Sequence, residues 1–495
     1  MCAVLAACCL FALGACKKKH KHSYAEEWST DAAMHWHECS CGAKSDEAGH
    51  DFVESAAVAA TCTVNGSKTL VCSVCGYEKT EVIAAGHTFD ATETNYCTVC
   101  KTYFVENSAQ LIALAAKDDD FAGKTIALTD SIELTEEWTP MRLGTRTGKT
   151  YTGKSFKGTF EGNGKTIAGL TVTTCAGEDD SVGFIGVLDG GVVQNVHFAD
   201  VYINVSESEM AGACVGLMVN NATVRNVTVA SGSVAAKRGN GGIAGRMTVS
   251  GTIEGCVNRA AITATGANAG GIAGAAYYTD AGKEMRIADC VNYGNVTNTA
   301  GGTGGIVGFS AARVTGCKNV AAITGDGTSV GGIAGEQQNY GSIENCENTG
   351  NVQNNSTAYG TGGIVGWVRY SGTAPNYNRI ERIDLLNNKN SASVKGGNDV
   401  GGIAGCIYNT SIVRGNINTA ASLTKNSEGG FWGGIVGNLQ AETANKFFGS
   451  GTILVENNVS TTSMGDEITG CKDLFAYNNN SEYFTVQNNS DTLPQ

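Results

Sequence analysis

Proline is nearly missing: the chain has 3 in 495 residues. That excludes collagen and proline-rich disorder. Charge is scarce too. Only 16% of residues are Asp, Glu, Lys or Arg while 42% are apolar, which excludes an intrinsically disordered chain. Basic side chains are the scarcer sign, 34 against 47 acidic, and the net charge of −13 argues against non-specific nucleic-acid binding. Helical periodicity is rare after residue 120. No apolar run reaches the roughly 20 residues of a membrane-spanning helix. Six of the seven histidines precede residue 90, so the N-terminal part and the remainder carry different chemistry. Glycine is what the chain has in excess: 67 residues, about twice the usual share. A chain of 495 residues implies several domains or one elongated repeat.

Residues 3–13, AVLAACCLFAL, form a short apolar run of the kind found in a signal peptide. Leu13-Gly14-Ala15-Cys16 and three lysines follow. This string resembles a bacterial lipobox, and the resemblance implies cleavage after residue 15 and lipidation of Cys16. The expected organisation is a signal peptide over 1–15, a tether over 16–34 and a Cys/His-rich module over 35–101. A cap with the first strands follows over 102–180, then a repeat domain over 181–465 and a C-terminal cap or tail over 466–495. The mature protein is expected on the extracellular face of the bacterial envelope, anchored and not spanning.

Of the 19 cysteines, seven lie within 62 residues. They include two CxxC pairs, Cys72/Cys75 and Cys97/Cys100, and one CxC, Cys39/Cys41, with His35, His37, His50 and His87 between them. Thiolates and imidazoles at such spacing suit tetrahedral zinc. One expected set is Cys62, Cys72, Cys75 and His87. A second is His37, Cys39, Cys41 and His50, and Cys97 with Cys100 would share His87. Disulfides are the competing reading for an exported chain. The odd count of seven and the Gly-His beside each pair speak for metal. The segment resembles the small Cys/His-rich repeats near the N-termini of Gram-positive surface proteins, which implies no enzyme activity.

From about residue 180 the chain repeats itself. The string GGIxG recurs around Ile243, Ile272, Ile306, Ile333, Ile364, Ile403 and Ile435, with looser copies around Phe184 and Leu217, at intervals of 26 to 39 residues. A second string ends in Cys-x-Asn, as at Asn258, Asn292, Asn319 and Asn348, and Asn388 and Asn418 are placed in the same register. Short β-branched runs punctuated by Gly, Asn and Asp are strand signals. Units that cannot bury an apolar face alone must stack. The fold expected is all-β: a right-handed parallel β-solenoid, about 45 Å long for nine rungs at about 4.8 Å. The repeat resembles the GLUG-motif family of bacterial surface proteins. That resemblance implies an adhesin-type surface protein in which the repeated strings are structural.

Several expectations follow for individual residues. The seven isoleucines should form one inward stack. Cys256, Cys290, Cys317 and Cys346, with Val196, Val227 and Leu386 aligned to them, should be small buried side chains and not a thiol wire. The recurring Asn should bond the neighbouring rung. Asp118-Asp119-Asp120 and Asp179-Asp180 read as solvated loops. Residues 107–117 should form a capping helix, and the Gly-Asn-Gly of residues 162–164 a turn between strands. Carboxylates do not recur as a polysaccharide lyase or hydrolase would need: Glu254 and Glu344 share one position with Ala288, Thr315 and Arg414. The expected function is non-catalytic binding of an extracellular glycan or protein, with a β-helix polysaccharide-degrading enzyme as the alternative and no nucleic-acid partner.

Overall fold

The computed structural model describes residues 20–148, 150–175, 177–279, 283–338, 341–369, 382–408, 411–439, 453–462, 477–478 and 484–493. The signal segment, Cys16 and most of 466–495 lie outside these residues. The chain divides into two compact units, residues 1–100 and 101–495.

The first unit is built from two three-stranded antiparallel sheets. One joins β1 (Ser29–Thr30), β2 (Met34–Glu38) and β3 (Lys44–Gly49); the other joins β4 (Phe52–Val58), β5 (Gly66–Cys72) and β6 (Glu78–Ile83). Part of the expected tether therefore belongs to folded structure, since β1 starts at Ser29. Hydrophobic burial here is small. Val53, Val58, Val64 and Val82 are exposed, and among the described residues the buried apolar side chains of the unit are Cys39, Cys72 and Cys97.

The second unit is a parallel β-solenoid of about ten turns. Each full turn contributes strands to four sheets, of which two have nine strands and one has ten. In the first sheet Val224, Ile253, Ile287, Val314 and Ile343 stand in register and are fully buried. In the second, Val234, Ile262, Val296, Ile323 and Val352 do the same. Stacked β-branched side chains meet the same neighbour on every rung, so one strand pattern propagates along the rod.

The isoleucine stack is as expected. All seven residues are fully buried, and the backbone N–H of each of the first six bonds the carbonyl of the next isoleucine, as from Ile333 to Ile364 at 2.8 Å. The looser copy differs in register. The Ile243 position is filled one rung earlier by Cys214, since Gly212 pairs with Gly241 and the Cys214 N–H bonds Ile243 O. Leu217 lies three residues further on, opposite Arg246. The string aligned with GGIAG is therefore Gly212-Ala213-Cys214-Val215-Gly216.

The N-terminal helix α1 (Ser108–Ala116) is capped by Asn107, whose side chain accepts from Gln110 N. Leu111 and Leu114 are its buried residues. The buried Arg142 donates to the Leu114 and Ala115 carbonyls at 3.3 and 3.2 Å and to Lys117 O, placing a cation on the orphan carbonyls of the helix end. The Gly-Asn-Gly of residues 162–164 is not a hairpin turn. It is an irregularity inside the strand Thr159–Ala168, which pairs in parallel with Val192–Ala199. Asn163 takes a left-handed φ of 50°, as Asn195 does at 55°, so the string bends one strand instead of joining two.

Candidate metal centres

In the first unit the turns carry the chemistry. At Cys39–Gly42 the chain closes with Gly42 N on Cys39 O at 2.7 Å, and Gly42 takes φ of 85°. Residues 72–76 repeat the device, with Gly76 N on Cys72 O at 3.0 Å and φ of 73°. Glycine at the left-handed position lets the turn fold tightly. Both sulfurs of a pair then face one point.

Three clusters result, and within each the four ligand atoms lie within 4.8 Å of one another. The first holds His20, His22, Cys39 and Cys41; the second His35, His50, Cys72 and Cys75; the third Cys62, His87, Cys97 and Cys100. In the first, His22 Nδ1 is 3.2 Å from Cys41 Sγ, and the Cys39 and Cys41 sulfurs are 3.2 Å apart. A bridge between Tyr24 and Cys39 lays the histidine segment alongside. In the second, His50 Nδ1 is 3.3 Å from Cys75 Sγ and His35 Nδ1 is 3.9 Å from Cys72 Sγ. His50 Nε2 meets Asp31 O at 2.8 Å, which fixes the ring. In the third, Cys62 and Cys97 sulfurs are 3.6 Å apart, as are Cys100 Sγ and His87 Nδ1.

These groupings differ from the expected sets. Cys62 and His87 join Cys97 and Cys100, not Cys72 and Cys75. His50 goes with Cys72 and Cys75, not with Cys39 and Cys41. His37 stands in no cluster: its ring stacks on Trp28 at 3.9 Å and its Nδ1 lies 3.3 Å from Glu27 O. His20 and His22 take the expected places of His37 and His50.

The thiols are electrostatically unlike. Cys39 is held down at about 5 by the Cys41 N–H, the His20 ring and the Cys41 thiol. Burial raises Cys72 and Cys97, but neighbouring groups outweigh it and hold both at about 6: the N–H groups of Cys75 and Val74 with His50 for Cys72, and the Cys100 N–H, His87 and the Val99 N–H for Cys97. Cys62 is pushed up to about 11 by burial and by the neighbouring Cys97 and Cys100 thiols. Tetrahedral zinc with sulfur at about 2.3 Å has ligand–ligand edges of about 3.8 Å. The donor set is all thiol and imidazole, and the clusters could hold a metal ion.

The solenoid thiols behave otherwise. Cys256, Cys290, Cys317 and Cys346 are buried and free, and each Sγ bonds the carbonyl two residues back at 3.1–3.4 Å. Burial pushes the Cys290 and Cys346 thiols far above their ordinary value. In the next rungs this column holds Asn388, Asn416 and Asn458, not Leu386, which pairs with Glu344. The Asn column runs through Asn390, so Asn388 belongs with the cysteines. Of the acidic runs, Asp118, Asp119 and Asp120 pair with Lys154, Lys124 and Lys157, while Asp180 is buried and accepts from Thr145 Oγ1 at 2.8 Å.

The GLUG motif family model matches residues 326–353. Halomucin of Haloquadratum walsbyi is 37% identical over 97 residues, 19% of this chain and 1% of halomucin. Among solved structures, a candidate immunoglobulin A1 protease from Bacteroides ovatus aligns over 73% of this chain and 84% of its own, with 18% identity and a TM-score of 0.34. An IgA1 protease aligns over 88% of this chain and 27% of its own, with 13% identity and a TM-score of 0.31. Scores this low carry no argument about activity. The protein is thus a parallel β-solenoid that carries a match to the GLUG motif at residues 326–353 and is preceded by a small Cys/His-rich region.

Proposed function

We propose that the protein is a lipid-anchored, non-catalytic binding protein of the bacterial cell surface. In this reading Cys16 carries the anchor, three zinc ions staple the N-terminal module, and the solenoid displays a binding face to an extracellular ligand. The observation that carries it is where the recurring polar side chains spend their hydrogen bonds. Asn292, Asn319, Asn348 and Asn390 bond one another from rung to rung at 2.8–3.0 Å, inside the solenoid. The repeated residues are therefore scaffold. A neighbouring column varies instead, with Glu254, Ala288, Thr315, Glu344 and Leu386 following one another. A scaffold of fixed interior and variable exterior suits recognition.

Bound zinc would replace the missing hydrophobic core of the module, since structural zinc supplies folding free energy outright. The His50 Nε2 contact with Asp31 O would orient its ring toward the ion. The test pairs two assays on the full chain expressed in bacteria. The reading predicts partition with the membrane, lost in Cys16→Ala, and no new reducing ends on incubation with polysaccharides. A wild-type protein free of the membrane, or sustained turnover, would overturn it.

A further inference from the structure

The binding reading leaves its face and ligand unassigned, and a seam supplies both: it runs between the third sheet, which contains Thr361–Gly362 and Asp399–Gly401, and the fourth, which contains Val365–Arg369 and Ala404–Ile407. Phe309, Glu336, Trp367, Cys406 and Asn438 follow one another in one column of the fourth sheet. Two residues along the same strands stand Tyr277, Gln338, Arg369 and Tyr408. The rings pair across rungs: Tyr277 stacks on Phe309 with centroids 4.3 Å apart, and Trp367 meets Tyr408 edge-on at 5.3 Å. The Arg369 guanidinium lies 4.4 Å from the Trp367 ring centre and pairs with Glu336. All four rings are partly exposed, so the column reaches solvent. Over the four rung steps from Tyr277 to Tyr408 it extends about 19 Å.

At the far end Asp399 of the third sheet joins it, accepting from Asn438 Nδ2 at 3.3 Å. Asp399 and Asn438 are 1% and 3% exposed. Asp399 Oδ2 and Asn438 Oδ1 make no hydrogen bond among the described residues, and burial raises the Asp399 carboxyl although the Cys406 thiol and the Phe431 N–H lie beside it. Two neighbouring buried acceptors without a hydrogen bond are costly unless something supplies one.

We propose that this seam binds a neutral, extended glycan laid along the solenoid axis, a proposal that rests on the binding reading above. Sugar rings offer an apolar face to stack on aromatic rings and hydroxyl donors for the orphan oxygens. A proline-rich peptide also favours aromatic grooves, but proline brings no N–H to those acceptors. A polyanionic glycan is disfavoured by the net charge of −13.

The test is native electrophoresis of the full chain in gels cast with a soluble β-glucan, a xylan or a galactomannan. We expect retardation in at least one gel, weakened about tenfold in Trp367→Ala through loss of the ring stack. Asp399→Asn, which keeps the shape but loses an acceptor, should also weaken it, and this variant decides the matter if Trp367→Ala does not fold. Tyr202→Ala, at an exposed ring of the second sheet, should migrate as wild type. No retardation in any gel, equal retardation in both seam variants, or capture by polyproline alone would overturn the proposal. Reducing ends appearing in the same samples would refute the non-catalytic reading and leave the seam standing.

Discussion

At the residue scale, the solenoid is held by columns in which one chemical requirement recurs. The corner of the first sheet needs a left-handed φ, and Asn226, Gly255, Asp289, Gly316, Asn345, Asn387 and Gly415 supply it at 53–68°. These are the residue types that tolerate that region. The second glycine of GGIxG has a different cause. A Cβ at Gly332 would lie 2.1 Å from Gly363 O and 2.3 Å from the Asn348 amide carbon. The glycine and the Asn ladder therefore require each other. Gly332→Ala should destabilise the solenoid by about 2–4 kcal/mol, within the range for overpacking or backbone displacement in a tight core; an unchanged denaturation midpoint would refute the packing. Asn348→Val removes the acceptor for Asn319 Nδ2 and Gly350 N and should cost about 2–3 kcal/mol. Asn258→Val, at the upstream end where the column turns to Val229, strips an acceptor from Ala260 N alone and should cost about 1 kcal/mol. Equal losses in the two variants, by denaturant titration, would argue against a ladder.

Element by element, legibility followed the physics. Ile243 to Ile435 could be read from sequence because glycines on both sides mark one backbone shape. Cys214 was hidden because Ala213 replaces the second glycine, and Val229 replaces the Asn it would face. Sequence alone does not separate Asn388 from Asn390, which fills the Asn column, because four of the five residues from Asn387 to Ser391 are short and polar and composition does not fix the register. The candidate metal ligands were recognisable by type but not by grouping: the pairs are local, whereas the histidines that complete the clusters lie 10 to 37 residues away across a turn or strand. The aromatic seam was invisible, because its rings sit at different offsets and only rung register brings them together. The zinc reading predicts that a strong chelator unfolds the first unit. Its thiol pKa values add a pH dependence. A folded-state value of about 6 for Cys72 and Cys97, against an ordinary 9.0, gives stability that is full above 9 and is lost as pH falls through 6. Protons also compete with metal for these sulfurs. Circular dichroism of the full chain from pH 8 to 5 should show loss of signal assignable to the first unit; retention at pH 5 with chelator present would contradict it.

Over the whole molecule, the zinc reading gives the two units two sources of stability. The solenoid draws on stacked apolar columns, each buried isoleucine contributing roughly 1.5–3 kcal/mol, and on rung-to-rung hydrogen bonds. Damage to it should spread to neighbouring rungs first. Ile333→Asp buries an unpaired charge and should remove exchange protection across residues 300–369 before it affects the ends; unchanged protection there would mean the stack is wrong. The first unit buries few apolar side chains and has three Cys/His clusters in their place. This division of labour is the central claim, and hydrogen exchange on the intact protein before and after chelation tests it most directly. The account predicts that residues 20–100 lose protection when metal is removed while 181–439 keep theirs. Protection unchanged in 20–100, or lost equally along the solenoid, would contradict it.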